Sequence, residues 1–506
     1  MLSRSVRILT PVALFVLAFV VRLIPVLNGG GPFPVDNYDP SVYYAAAVGL
    51  AAGRVPYRDF LLLHPPGLLI FLQPFVALGS VIGDQWANLV ARVAFMLLGS
   101  VTTVLIYRLL SQRGVLPGLL GAGFYLTFFP AIYSERTTRL EGLASFAVVG
   151  ALVLLAPAVK RGQLGVARLF GAGALLGFGA TVKIWGVVLV AALCVWLLFA
   201  EGFRAALIAG LGALATAVVV IGPFVVLAPQ FWRMVLFDQL GRPDLPISTW
   251  QRLGDIVGLG QLDPAPPVLV SGTFVTGSGG PPVAAQVALF VLVALAAIGA
   301  ARSRLGRLYL VLAAVAIATL LAGPSWFVHY PTFSAAPLAL VLGSGLAELT
   351  ERVGRGGRAV VAVTVVGALA ATTVTQLLIP EGKEFPVAQV RKALAARPGC
   401  VTTDNPVSLI LTDTLRRNLA RGCPLVVDLS GYVYDISHAD GSTPERLRNQ
   451  QFQSFMVDYL GSGSTTVIMR LWPSSFNEAS RARVRSWPVL IDFYDRHTVR
   501  DTRHGR

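Results

Sequence analysis

The chain has 506 residues, of which 55% are hydrophobic and only 13% charged, about half the charged share of an ordinary soluble domain. A mean hydropathy of +0.68 excludes a soluble globular protein and marks a polytopic membrane protein. The net charge of +15 implies no nucleic-acid partner, because the basic residues are spread over short loops between apolar runs. Only four of the 41 basic residues are lysines, Lys160, Lys183, Lys383 and Lys392.

Crossing roughly 30 Å of hydrocarbon takes about 20 apolar residues. Runs of that kind lie near 8–27, 87–107, 114–132, 141–158, 168–182, 184–200, 205–227, 283–301, 308–323, 332–348 and 359–379. The first has no small-residue cleavage site after it and reads as a retained span. Alternate loops carry Arg4 and Arg7; Arg108 and Arg113; Lys160, Arg161 and Arg168; Arg204; Arg302, Arg304 and Arg307; Arg352, Arg355 and Arg358. The lysine and arginine bias of short cytoplasmic loops puts this set inside. The sequence therefore predicts about eleven spans, a cytoplasmic N-terminus and an extracytoplasmic C-terminus. The apolar segment 65–83 begins at Pro65-Pro66 and is followed by Asp84 with no basic residue, so it is expected to lie in the outer interface; the alternative, a short transmembrane hairpin with 87–107, would reverse every later loop.

After Ile379 the composition changes. Residues 381–506 read as an extracytoplasmic α/β domain following a transmembrane domain over 1–380, whose first extracytoplasmic loop spans 28–86. The expected order is a strand at Cys400–Thr403, a helix over 406–420, a strand at Pro424–Val427, and a helix from about Thr443 to Leu460. A strand at Thr465–Met469, a helix over 477–485 and a strand at Val489–Tyr494 follow, giving a largely parallel sheet. Cys400 and Cys423 open the first two expected strands. If these strands are neighbours, a disulfide is geometrically reasonable in an oxidising compartment. Cys194, inside a span, reads as a small apolar residue.

The most informative stretch is the first loop, where Asp36 and Asp39 follow directly on the first span. A carboxylate within hydrogen-bond reach of an acceptor hydroxyl can take its proton during sugar transfer, and Asp39 is the candidate. Aspartate before Pro40 is also a favoured helix cap, and that reading is preferred for Asp36. Tyr43 and Tyr44 offer rings on which a sugar can stack, and His64-Pro65-Pro66 follows. Glu141 opens the fourth span, while Arg139, Lys183, His329 and Tyr330 sit at turns on the face that carries Asp39. Ionisable groups at such depth are candidates for function by default; snorkelling of Lys183 and simple interfacial anchoring by Tyr330 are the plain alternatives.

This arrangement resembles the GT-C superfamily of membrane glycosyltransferases, in particular its protein-mannosyltransferase and aminoarabinose-transferase branch. The match in order and motif spacing covers roughly residues 8 to 200. In that branch the first outer loop holds an acidic pair, a tyrosine-containing helix, a basic-Pro-Pro motif and an interfacial helix. The resemblance implies that Asp39 is the general base and that Tyr43, Tyr44 and His64 face substrate. Pro40 stands where the branch has its second acid. It implies that Arg139, Lys183, His329 and Tyr330 contact the donor phosphate, and that Glu141 with Asp39 holds a divalent cation, Mg or Mn. The implied function is an inverting transfer of a sugar from a polyprenyl-phosphate donor to a cell-envelope glycan, lipid or protein at the outer face of the plasma membrane. A polytopic transporter or lipid-linked sugar flippase is the alternative, although no internal repeat is visible and the acids cluster at the outer interface.

Overall fold

The computed structural model describes residues 4–35, 38–161, 165–243, 247–259, 268–270, 273–275, 283–350, 354, 367, 377, 383–470, 475–494 and 497–503. Ten of the expected apolar segments are helical, because each is a long run of aliphatic side chains with few interruptions. The first ten helices are α1 (Arg4–Asn28), α2 (Tyr38–Ala51), α3 (Gly67–Ile82), α4 (Asp84–Ser111), α5 (Val115–Thr127), α6 (Phe129–Glu135), α7 (Leu140–Arg161), α8 (Val166–Val182), α9 (Gly186–Glu201) and α10 (Phe203–Leu227). Three further long helices follow at Val283–Ala300, Arg304–Ala322 and Thr332–Thr350. The eleventh segment, 359–379, lies outside the described residues apart from Gly367 and Leu377.

Among the described residues, four helical stretches are each long and apolar enough to cross a bilayer: Ile8–Asn28, Asp84–Ser111, Phe203–Leu227 and Arg304–Ala322. Taken as one broken span, the pair α5 and α6, bent by 62°, makes a fifth. The remaining apolar helices are shorter, so about eleven spans are not reached by length alone. The chain is a multi-pass membrane protein, and it divides into two compact units.

The first unit comprises Met1–Asn28, Arg92–Val220 and Leu245–Pro380. Lipid supplies no hydrophobic drive for helices to associate, so close backbone approach at small residues takes its place. A Cβ on Gly173 of α8 would collide with the carbonyl of Ala209 on α10. One turn on, a Cβ on Gly177 would lie 2.6 Å from Ala213 Cα. A buried ion pair crosses the same unit. Arg22 of α1 donates from Nη2 to Glu135 Oε2 at 2.5 Å, and the Tyr125 hydroxyl donates to Glu135 Oε1 at 2.5 Å.

The second unit gathers Gly29–Ala91, Ile221–Asp244 and Glu381–Arg506, so the first loop packs with the end of the chain. A β-bridge joins Pro34 to Glu384, and Gly30 (φ +91°) lies so close to Lys383 that a Cβ would be 2.6 Å from its carbonyl carbon. The sheet has strands β3 (Val401–Thr403), β4 (Thr465–Ile468), β5 (Val489–Phe493) and β6 (His497–Asp501), in the order β3-β4-β6-β5. An earlier antiparallel hairpin, β1 (Val268–Val270) with β2 (Thr273–Val275), belongs to the first unit.

Only β3 and β4 run parallel; β6 is antiparallel to both its neighbours. The expected largely parallel sheet is therefore mixed. β6 went unread because its alternation is interrupted by charged residues. Pro424–Val427 is not a strand: Leu425 packs against Gly49 of α2, and Cys423 is joined to Cys400 with Cα atoms 5.7 Å apart. The helix expected from Thr443 begins at Gln450, where Asn449 caps it by accepting from Phe452 N.

Candidate functional site

Each unit holds one group of the sequence-selected residues. In the second unit, Asp39 stands in the first turn of α2, where the helix dipole favours a carboxylate. Asp36 lies outside the described residues. Tyr43, one turn after Asp39, is edge-on to His64 with ring centroids 5.7 Å apart. His64 Nδ1 is 3.4 Å from Gln239 Nε2. The preceding turn is fixed by Tyr57, at φ 67°. Its buried hydroxyl donates to the His64 carbonyl at 2.7 Å, and its ring meets Phe231 at 4.8 Å.

Tyr44 does not fit the sugar-stacking expectation. It is 0% exposed, and its hydroxyl donates to Asp84 Oδ1 at 3.2 Å, the carboxylate that also accepts from Arg416 Nε at 2.9 Å. Consecutive residues of a helix point about 100° apart, so Tyr43 and Tyr44 cannot share one task. Tyr44 is an anchor.

In the first unit, the helix break between α8 and α9 places Lys183 in an extended conformation, φ −136° and ψ 122°. Lys183 as a whole is 2% exposed. Its ammonium donates to Glu141 Oε1 and lies 3.8 Å from the Trp185 ring centroid and 4.2 Å from that of Tyr330. His329 Nε2 is 3.7 Å from the same carboxylate oxygen, and Arg139 Nη1 is 3.3 Å from His329 Nδ1. A guanidinium only donates, so Nδ1 accepts and the imidazole proton sits on Nε2, towards Glu141. Arg139 Nη2 donates to the Tyr133 hydroxyl at 3.1 Å. The guanidinium carbons of Arg139 and Arg136 lie 4.6 and 4.5 Å from the Tyr133 ring centroid.

Arg139, Glu141, Lys183, His329 and Tyr330 therefore converge. Sequence reasoning missed Tyr133 and Trp185, whose signal was an aromatic ring within six residues of a candidate cation. With His329 neutral, the cluster holds three cations, Arg136, Arg139 and Lys183, and one carboxylate, Glu141, an excess that suits an anion. It does not suit a divalent cation: the Glu141 oxygen that would bind a metal already accepts from an ammonium. Among the described residues, no group of three His, Cys, Asp or Glu side chains could hold a metal ion.

No protein-family model matches the chain, and no curated protein matches it by sequence. By structure, the fold is similar to that of several solved proteins. The crystal structure of ArnT from Cupriavidus metallidurans bound to undecaprenyl phosphate is similar over 99% of this chain and 98% of that chain, with TM-score 0.57 and 14% identity. The archaeal oligosaccharyltransferase AglB from Archaeoglobus fulgidus, in complex with an inhibitory peptide and a dolichol-phosphate, is similar over 92% of this chain and 70% of that chain, with TM-score 0.55 and 12% identity. The Archaeoglobus fulgidus oligosaccharyltransferase complex with Zn and sulfate is similar over 89% and 67% respectively, with TM-score 0.53 and 13% identity.

Proposed function

We propose that this protein is an inverting glycosyltransferase that moves a sugar from a polyprenyl-phosphate donor to a cell-envelope acceptor. The observation that carries this reading is the convergence of Arg139, Lys183 and His329 around Glu141 in a fold shared with proteins bound to undecaprenyl phosphate and dolichol-phosphate. Asp39 takes the proton of the acceptor hydroxyl as its oxygen attacks the anomeric carbon. The bond from that carbon to the phosphate oxygen breaks, and its electron pair leaves with the lipid phosphate. Lys183 exchanges part of its contact with Glu141 for the departing oxygen, and Arg139 adds a second donor. Such preset cations matter most where charge develops. One displacement inverts the anomeric centre.

The proposal includes about eleven spans, with the shorter apolar helices also crossing. It includes a transmembrane domain over 1–380, and a C-terminal domain over 381–506 that works on the outer face of the plasma membrane. A disulfide at Cys400–Cys423 supports that compartment.

The test is purified protein in detergent, given a panel of undecaprenyl-phosphate monosaccharides and envelope extract, with release of undecaprenyl phosphate as the readout. At least one donor is expected to turn over. Asp39→Asn is expected to lower the rate about 100-fold or more. Use of a soluble nucleotide sugar by the parent, or a parent-like rate for Asp39→Asn, overturns the reading.

A further inference from the structure

Helix α2 carries two sets of residues with different partners, both within the second unit. At about 3.6 residues per turn, Tyr38, Ser41, Ala45 and Gly49 form one stripe, spaced i, i+3, i+7 and i+11. Asp39 and Tyr43, spaced i and i+4, form another stripe roughly 100–140° away. The first stripe is attached along its whole length to residues from the last quarter of the chain.

At its start, the Tyr38 hydroxyl donates to Asp428 Oδ1 at 2.8 Å and accepts from Ser430 N at 3.0 Å. The Arg470 guanidinium carbon lies 4.0 Å from the Tyr38 ring centroid. Arg470 is itself placed by its backbone, because Asp404 accepts from Met469 N at 2.7 Å and from Arg470 N at 2.6 Å. Asp404 and Arg470 follow the carboxyl ends of β3 and β4, the parallel pair. Ser41 Oγ donates to Asn405 Oδ1 at 3.1 Å, and that oxygen also accepts from Val407 N at 3.1 Å. Further along, Ala45 lies among Pro406, Leu409 and Leu425. At the far end, a Cβ on Gly49 would be 2.6 Å from Leu425 Cδ2.

Such a row has more polar specificity than a helix needs merely to be buried. Apolar packing alone lets a helix slide and rotate, whereas a tyrosine hydroxyl with both a donor and an acceptor partner fixes register and rotation together. The carboxyl ends of parallel strands usually face a ligand; here they hold a helix of the same chain. We infer that the C-terminal sheet positions Asp39 through Tyr38 and Ser41, so that the domain acts on catalysis by setting the orientation of α2. The inference rests on the proposed role of Asp39 as base. Tyr38, Ser41, Asn405 and Asp428 are positioning residues, since none of them touches the reacting atoms.

The test uses the full-length protein and the undecaprenyl-phosphate monosaccharide that it turns over. Tyr38→Phe and Ser41→Ala are each expected to lower kcat roughly 10-fold, the scale of a sub-ångström misplacement, with the donor KM unchanged. Each is made again in the Asp39→Asn background, where neither is expected to lower the residual rate further, because there is no base left to misplace. Deuterium uptake over 38–51 is expected to rise in Tyr38→Phe while the rest of the chain keeps the parent pattern. Loss by the same factor in both backgrounds overturns the positioning role and leaves the base intact. So does a changed KM at parent kcat. A parent rate for Asp39→Asn defeats the base reading instead. Should Tyr38→Phe not fold, Ser41→Ala, which removes one hydroxyl with its contacts to Asn405 Oδ1 and the Tyr38 carbonyl, decides the matter.

Discussion

Lys183 and Glu141 are both almost fully buried, with side chains 3% and 1% exposed. Two charges taken out of water are tolerable as a pair, but removing either partner leaves the other uncompensated, at a cost of about 3–5 kcal/mol. Lys183→Met and Glu141→Gln are each expected to lower the unfolding temperature in detergent, while the double variant recovers most of the loss. Equal and additive losses would show that the two groups are not coupled. Activity is expected to follow a different pattern. Lys183→Met stays poor even where the double variant is stable, because the cation proposed to meet the departing phosphate is gone. Tyr44 teaches the converse lesson about single residues. An aromatic beside an acidic loop reads as a sugar platform, yet its ring is enclosed and its hydroxyl is committed to Asp84.

At the scale of elements, what was legible in the sequence was what is locally encoded. Length and apolarity define a membrane helix within its own residues, and α1, α4 and α10 appear where those properties place them. The expected cationic residues come together because each sits at a helix end, where a break in apolarity marks it. The rest depended on partners far along the chain. Pro424–Val427 has the β-branched composition of a strand but lies beside α2, and β6 becomes a strand only because β4 and β5 flank it. The glycines of α8 were visible, yet their purpose was not. Gly173→Ala is expected to destabilise the protein by about 1–3 kcal/mol, the usual cost of overpacking, since its Cβ would meet backbone on α10. Gly210→Ala, whose Cβ would lie 3.8 Å from Cys194 Sγ, is expected to be near neutral. Thermal unfolding of the two variants in one detergent separates them, and equal shifts would remove Gly173 from the interface.

For the whole molecule, the proposed orientation makes a concrete demand. Ala52 and Ala439 are exposed in the second unit and Ala301 is exposed in the first. With Cys194 replaced and the disulfide kept, single cysteines at positions 52 and 439 are expected to react with an impermeant thiol reagent on intact cells. One at 301, among the arginines expected to lie inside, is expected to react only after the membrane is opened. The reverse pattern would invert the topology and put Asp39 on the cytoplasmic side.

The hydrogen bond from Tyr38 to Asp428 joins residues 390 positions apart, and this sets a schedule for biogenesis. At about 5–20 residues per second, the loop that carries Asp39 leaves the ribosome roughly 20–80 s before its partner exists. During that interval the helical spans can insert one after another, while α2 waits without the surface that orients it. On the proposed role of Asp39, competence for catalysis then waits until the residues around Asp428 have emerged and joined α2. A chain cut short before Asp428 would lack the partner that fixes Tyr38, and the proposed base would have no fixed orientation.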